Sequence, residues 1–195
     1  YIRKLTRDHG GGAAVDFYGI SYHGYNATHL DALCHVWDQN GMWNGRNHEN
    51  EITFSGANWG GIEHWREGII TRGVLLDVPK HRNVPFVTHD RPVHGWELEE
   101  IALTQGISIE PGDAVFVYSG REAWMESDPT ANVGPDRPGL HSSCLPFIRN
   151  NDVSILGWDM MDASPNNYNI PWSVHGVLYA YGVGLVDNAL LQPLA

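Results

Sequence analysis

Short apolar runs and amphipathic stretches alternate along this chain, and each predicts an element. Residues 15–21 read as a strand and residues 32–39 as a helix that Asn40 and Gly41 stop. Residues 59–67 form a second helical stretch ending at Gly68. Residues 73–78 are a continuous apolar run closed by Pro79, the pattern of a buried strand. Within residues 97–105, Leu98, Ile101 and Ala102 share one helical face, and Gly106 ends the helix. Pro111, Gly112 and Asp113 turn the chain into a strand over 114–118. Ser142 or Ser143 caps a helix to about Arg149. A strand over 153–158 leaves Asp159 just past its end; a helix over 174–181 and a strand over 183–186 follow.

Between these elements lie two long polar loops, 42–56 and 80–95, of the kind that border binding sites. A Pro/Gly-rich stretch, 129–138, is expected to wrap the surface. Helices and strands alternate without repeats or a visible boundary. The expectation is therefore one α/β domain of mixed α+β character, and 195 residues suit one domain better than two. Its 42% apolar and 18% charged residues are those of a globular protein. A net charge of −11 argues against nucleic acid or an anionic membrane surface as partner. No apolar run approaches the roughly 18 residues of a membrane span. Two cysteines make no disulfide framework, which favours a cytoplasmic location. The chain opens on Tyr1 without a leader pattern, consistent with a piece of a longer natural protein. Eight Trp and eight Tyr suit an aromatic pocket or an oligomer interface, and composition does not decide between them.

The chemistry concentrates in residues 22–35, Y-H-G-Y-N-A-T-H-L-D-A-L-C-H. In extended chain His29 and Asp31 point the same way. With a helix starting at Asp31, His35 lies one turn above it at i+4. All three then converge, and imidazole with carboxylate is a donor set for Zn²⁺ or Mn²⁺. The bland alternative is that they decorate a strand end and a helix start. For a lone His that is the better reading; a triplet among Leu30, Ala32, Leu33 and Val36 favours a site. A cysteine nucleophile, Cys34 with His35, is a poorer alternative because sequence neighbours diverge on helix or strand.

The stretch resembles the signature H-x-G-T-H-x-D-x-P-x-H of the cyclase-like metal hydrolases, among them bacterial kynurenine formamidase and isatin hydrolase. Thr28, His29, Asp31 and His35 match it, while Tyr25, Ala27 and Leu33 stand where the pattern has His, Gly and Pro. His23 is the nearest replacement for the first His, given a bend at Gly24. Similarity continues through residues 68–79, 109–120, 139–144 and 156–159. In the formamidases a distal His and a Glu twelve residues later complete a second metal site. Here His175 and Asp187 hold that spacing, with Asp one methylene shorter.

The resemblance implies a swivelling β/β/α fold, assembly as a homodimer or homotetramer, and metal-dependent hydrolysis of an amide or ester, often cyclic or formyl-bearing. It implies that His29, Asp31, His175 and Asp187 hold Zn²⁺ or Mn²⁺; His35, one turn beyond Asp31, is the candidate general acid and base. Tyr25, Trp37 and Trp43 are candidate substrate walls. His141 is a substrate contact, a substitute ligand or a helix-start polar residue. A binding scaffold without catalysis competes with this reading, given the missing first His.

Overall fold

The computed structural model describes residues 2–128, 130, 135–168 and 170–195; half of the stretch expected to wrap the surface, 129 and 131–134, lies outside them. The chain opens with an exposed antiparallel hairpin, β1 (Ile2–Thr6) and β2 (Gly12–Asp16). β3 (His29–Asp31) follows, then α1 (His48–Glu51) and a small hairpin, β4 (Ile52–Thr53) with β5 (Gly56–Ala57). From there strands and helices alternate: β6 (Gly73–Asp77), α2 (Val78–Arg82), α3 (Gly95–Thr104), β7 (Ala114–Tyr118) and α4 (Arg121–Ser127). α5 (Cys144–Asn150), β8 (Ile155–Trp158), α6 (Val177–Tyr181) and β9 (Gly184–Asp187) complete the α-helices and strands among the described residues.

Five strands make one sheet in the order β3-β9-β8-β7-β6. β6 to β9 run parallel, because each is joined to the next by a helical crossover; β3 adds an antiparallel edge. Side chains alternate across the sheet, and the register sorts them into two faces. One row runs His29, Asp187 on β9, then Trp158, Val117 and Leu76. This face carries the core, where Leu76, Val117 and Trp158 pack with Leu98 and Ile101 of α3, Ile148 of α5 and Leu178 of α6. The opposite row, Leu30, Val186, Gly157, Phe116 and Leu75, is half-buried apart from the buried Gly157. The metal-type residues of the first row therefore stand at the carboxyl end of β9, Asp187, and at the start of the antiparallel edge beside it, His29, on the covered face. That is where parallel sheets place ligand sites.

The buried strands and α3 were legible as apolar runs, and several other elements depart from expectation. Strand pairing stops at Asp16, so residues 17–21 are not a strand. Residues 32–39 form no helix. The Leu30 backbone is committed to β9, and Cys34 N–H donates to Gly60 O at 3.0 Å instead of up a helix. His35 N–H to Ala32 O, 2.9 Å, closes a single turn there. The stretch 59–67 shortens to one 3₁₀ turn, Ile62–Trp65, after the paired glycines Gly60 and Gly61. Within 80–95, the expected loop is preceded by α2, since Pro79 sits in its first turn and the Asp77 side chain accepts from Lys80 N–H. The loop 42–56 contains α1 and the start of a hairpin. Ser143 does stand at the cap of α5, but its hydroxyl bonds His94 and Gly95 instead.

Arg82 fixes this half of the molecule. Its guanidinium donates to both Glu97 oxygens at 2.6 Å and to the carbonyls of Arg91 and Pro92. Both side chains are 3% exposed, so the pair is a buried fork joining α2, α3 and the loop between them.

Candidate functional site

Pairing between β3 and β9 sets His29 directly opposite Asp187. Asp31, two residues along, lies on the same face. His29 Nε2 stands 3.5 Å from Asp31 Oδ1 and 3.6 Å from Asp187 Oδ2. His175, from the 3₁₀ turn before α6, brings Nε2 to 3.9 Å from Asp31 Oδ2 and 3.7 Å from Asp187 Oδ2. His35 Nε2 reaches 3.8 Å from Asp31 Oδ1. All five chemistry-bearing residues expected from the sequence thus meet at one buried point. His35 arrives through a tight turn where a helix was expected.

Three of the donors are held from behind. His29 Nδ1 lies 2.8 Å from the Ala27 carbonyl. That contact requires an Nδ1–H donor, which leaves the Nε2 lone pair facing the two carboxylates. Asp187 Oδ1 accepts from Trp158 Nε1–H and from Asn188 N–H. Asp162 Oδ1 accepts from the backbone N–H of Val174 at 2.6 Å and of His175 at 3.0 Å, and its Oδ2 accepts from His175 Nδ1–H. One carboxylate thereby caps the turn and aims the imidazole, the outer partner that metal-binding histidines take. Sequence reasoning missed Asp162. Its only signal was an acid placed among Met160, Met161 and Ala163.

Three atoms in the centre have no hydrogen-bond partner although they are buried: His29 Nε2 and both oxygens of Asp31. Burying such atoms unpaired is unfavourable by about 1–3 kcal/mol each, so the arrangement calls for a bound group. Donors about 2.0–2.2 Å from one ion stand roughly 3–3.5 Å apart, close to the separations here. His29, Asp31 and Asp187 form one group that could hold a metal ion; His23, Asp31 and His35 form another. The donor set, imidazole plus carboxylate, suits Zn²⁺ or Mn²⁺.

Charge follows from the same geometry. Burial pushes the Asp31 carboxyl up, and the Asp187 charge adds to this. Burial alone would raise Asp187 too, but hydrogen bonding and charge from His175 outweigh it and hold it down. Burial disfavours a charged His175, yet Asp162 and Asp187 reverse that and lift it to about 10. Burial, with the neighbouring His23 and His175, drops His35 to about 4, so its ring is neutral at pH 7. Burial raises the Cys34 thiol, which counts against a cysteine nucleophile.

A cavity of about 840 Å³ opens beside the cluster, bordered by His23, His29, His35, Trp37, Ile52 and Ile62 among others. No Asp, Glu, Lys or Arg lines it among the described residues. Trp37 is therefore a wall, with its ring stacked on His48 at 4.4 Å. Tyr25 and Trp43 are not. Tyr25 turns into the core against Trp124, ring centroids 6.1 Å apart. Trp43 packs over Gly182, where a Cβ would come within 2.7 Å of its ring. His141 lies outside the cavity as well. Its Nδ1 accepts from Ser143 N–H at 3.1 Å and its Nε2 lies 3.1 Å from the Asn166 carbonyl, so it reads as the helix-start polar residue.

A family model described as "Putative cyclase" matches residues 8–165. Comparison with curated proteins gives no match. Among solved structures, one described as a novel cyclase superposes with a TM-score of 0.78 at 24% identity, covering 93% of this chain and 61% of its own. An isatin hydrolase bound to the product analogue thioisatinate gives 0.57 at 15% identity, covering all of this chain and 70% of its own. Isatin hydrolase A from Labrenzia aggregata, bound to benzyl benzoate, gives 0.59 at 17%, with 98% and 71% covered. These likenesses are of fold, and the chain spans 61% of the length of the first of these structures.

Proposed function

The chain belongs to the cyclase family, and on that premise we propose that it is a metal-dependent hydrolase of amide or ester bonds. The observation that carries this is the trio of buried, unpartnered donor atoms on His29 and Asp31, facing Asp187 beside an apolar cavity. His29, Asp31, His175 and Asp187 are the residues that would hold one or two divalent ions. Such an ion, when bound, lowers the pKa of water from about 15.7 toward 7 and polarises a carbonyl.

The chain's own residues supply the rest. His35 stands at the border between cluster and cavity, 3.8 Å from Asp31. Its imidazole takes the proton of the attacking water as the new bond forms to the carbonyl carbon. It then returns that proton to the leaving nitrogen or oxygen as the scissile bond breaks. Asp162 and the Ala27 carbonyl keep His175 and His29 in register through these steps. The cavity walls, without charged residues among those described, suit a neutral, ring-sized substrate such as a formamide, cyclic amide or lactone.

Chelation followed by re-addition of Zn²⁺ or Mn²⁺ tests the reading, with isatin, N-formylkynurenine and a simple lactone as substrates. Hydrolysis of at least one should vanish and return with the metal. Hydrolysis that survives full chelation would overturn the proposal, as would none on any substrate at full metal loading.

A further inference from the structure

We infer that His23 supplies a metal donor from outside the register of the motif, taking over the position that Tyr25 leaves vacant; this rests on the metal reading of the Asp31 site. Gly24 has φ +87°, in the left-handed region that glycine enters most readily. It sits in a turn over residues 23–26. Tyr25 is sent into the core against Trp124, and His23 is sent back over the cluster. The motif's first position thus loses its donor to the core, and a residue two places upstream recovers one.

The geometry at the centre supports the exchange. His23 Nδ1 lies 3.3 Å from Asp31 Oδ1, nearer than either His29 or His35 Nε2. Its ring lies parallel to His35, centroids 4.0 Å apart and planes within 2°, and edge-on to His29 at 5.3 Å. Asp31 Oδ1 nevertheless lacks a hydrogen-bond partner. The three imidazoles therefore surround that oxygen at ligand-to-ligand spacing without bonding it directly. One donor atom each from His23, Asp31 and His35 lies within 4.8 Å of the others. His23 thereby adds an imidazole to Asp31 beyond the group of His29, Asp31 and Asp187, and three protein donors with an open side form a catalytic type of site. His23 also borders the cavity, with its side chain 59% exposed, so the open side faces the solvent route.

The exposure makes the inference testable without disturbing the fold. Metal-free wild type, His23→Ala and Tyr25→Phe would be titrated with Zn²⁺ against a chromophoric chelator, and their Co²⁺ visible spectra recorded. Thermal unfolding of the metal-free proteins would check folding. His23→Ala should bind Zn²⁺ at least tenfold more weakly and show an altered Co²⁺ spectrum, while Tyr25→Phe should match wild type. Wild-type affinity and spectrum in His23→Ala would overturn the role of His23 and leave the His29–Asp31 reading standing. A wild-type protein that takes up no metal would overturn both.

Discussion

Replacing Asp162 with Asn leaves its shape intact and reverses one hydrogen bond. Asn can keep accepting from Val174 and His175 N–H through its remaining oxygen. Toward His175 Nδ1, however, it presents an NH₂ group where Asp162 presents an acceptor. The imidazole must then accept at Nδ1 and carry its proton on Nε2. That nitrogen faces Asp187 Oδ2 at 3.7 Å and Asp31 Oδ2 at 3.9 Å. With Asp162 a metal ion displaces the Nε2 proton and leaves the Nδ1–H bonded, whereas a ring whose single proton is fixed on Nε2 cannot ligate there. The fold loses one charge-assisted hydrogen bond, about 1.5–3 kcal/mol, against a total stability of roughly 5–15 kcal/mol. Metal affinity should fall about 10–100-fold, the usual effect of losing an outer partner. Urea unfolding and Zn²⁺ competition on the same preparation would measure both. Asp162→Ala, which strands three buried donors at about 1–3 kcal/mol each, should be far less stable than Asp162→Asn. Wild-type Zn²⁺ affinity in folded Asp162→Asn would refute the reasoning.

Other expectations follow from particular contacts. Burial pushes the Glu97 carboxyl up, but hydrogen bonds and charge from Arg82 prevail and hold it below its ordinary value near 4.5. Because the folded value is the lower one, its stabilisation is complete above about pH 4.5 and is lost as pH falls through the depressed value. The urea midpoint of wild type should decline over that acid range, and less steeply in Glu97→Gln. Arg82→Met, which leaves Glu97 buried and unpaired, should be less stable at pH 7 by about 3–5 kcal/mol. His35→Asn should lower kcat by about 10²–10⁴ with unchanged metal content; near-normal turnover in the folded, metal-replete variant would reject its acid–base role. We also expect at least a homodimer, since Tyr18 and Ile70 are 80% and 100% exposed and the second sheet face is only half-covered. Light scattering that shows only a monomer at micromolar concentration would contradict this.

Legibility in the sequence tracked how local each signal was. The runs that became β6 to β9 and the apolar face of α3 were visible because burial repeats at fixed spacing. Residues 32–39 carried a helical pattern, but long-range bonds to Gly60 and β9 overrode it. α2 was hidden because Pro79 served equally well as a strand terminator and a first-turn helix residue. At the site, His29, Asp31 and His35 were legible from short spacing, and His175 with Asp187 from the resemblance. What the sequence concealed were partners set by tertiary register. Asp162 meets His175 thirteen positions away only because of how the turn before α6 folds back. Residue type alone makes Tyr25 and Trp43 candidate walls, and packing against Trp124 and Gly182 claims them instead.

Asp31 is the residue on which metal binding should depend most directly. Asp31 is 1% exposed, faces His23, His29, His35 and His175, and its oxygens bond nothing else. Removing it relieves repulsion with Asp187, which helps raise its pKa, so Asp31→Ala should fold at least as readily as metal-free wild type. Elemental analysis of both proteins after equilibration with Zn²⁺ or Mn²⁺ should find one or two ions per chain in wild type and essentially none in Asp31→Ala. A folded Asp31→Ala protein carrying the full wild-type complement of metal would contradict the account.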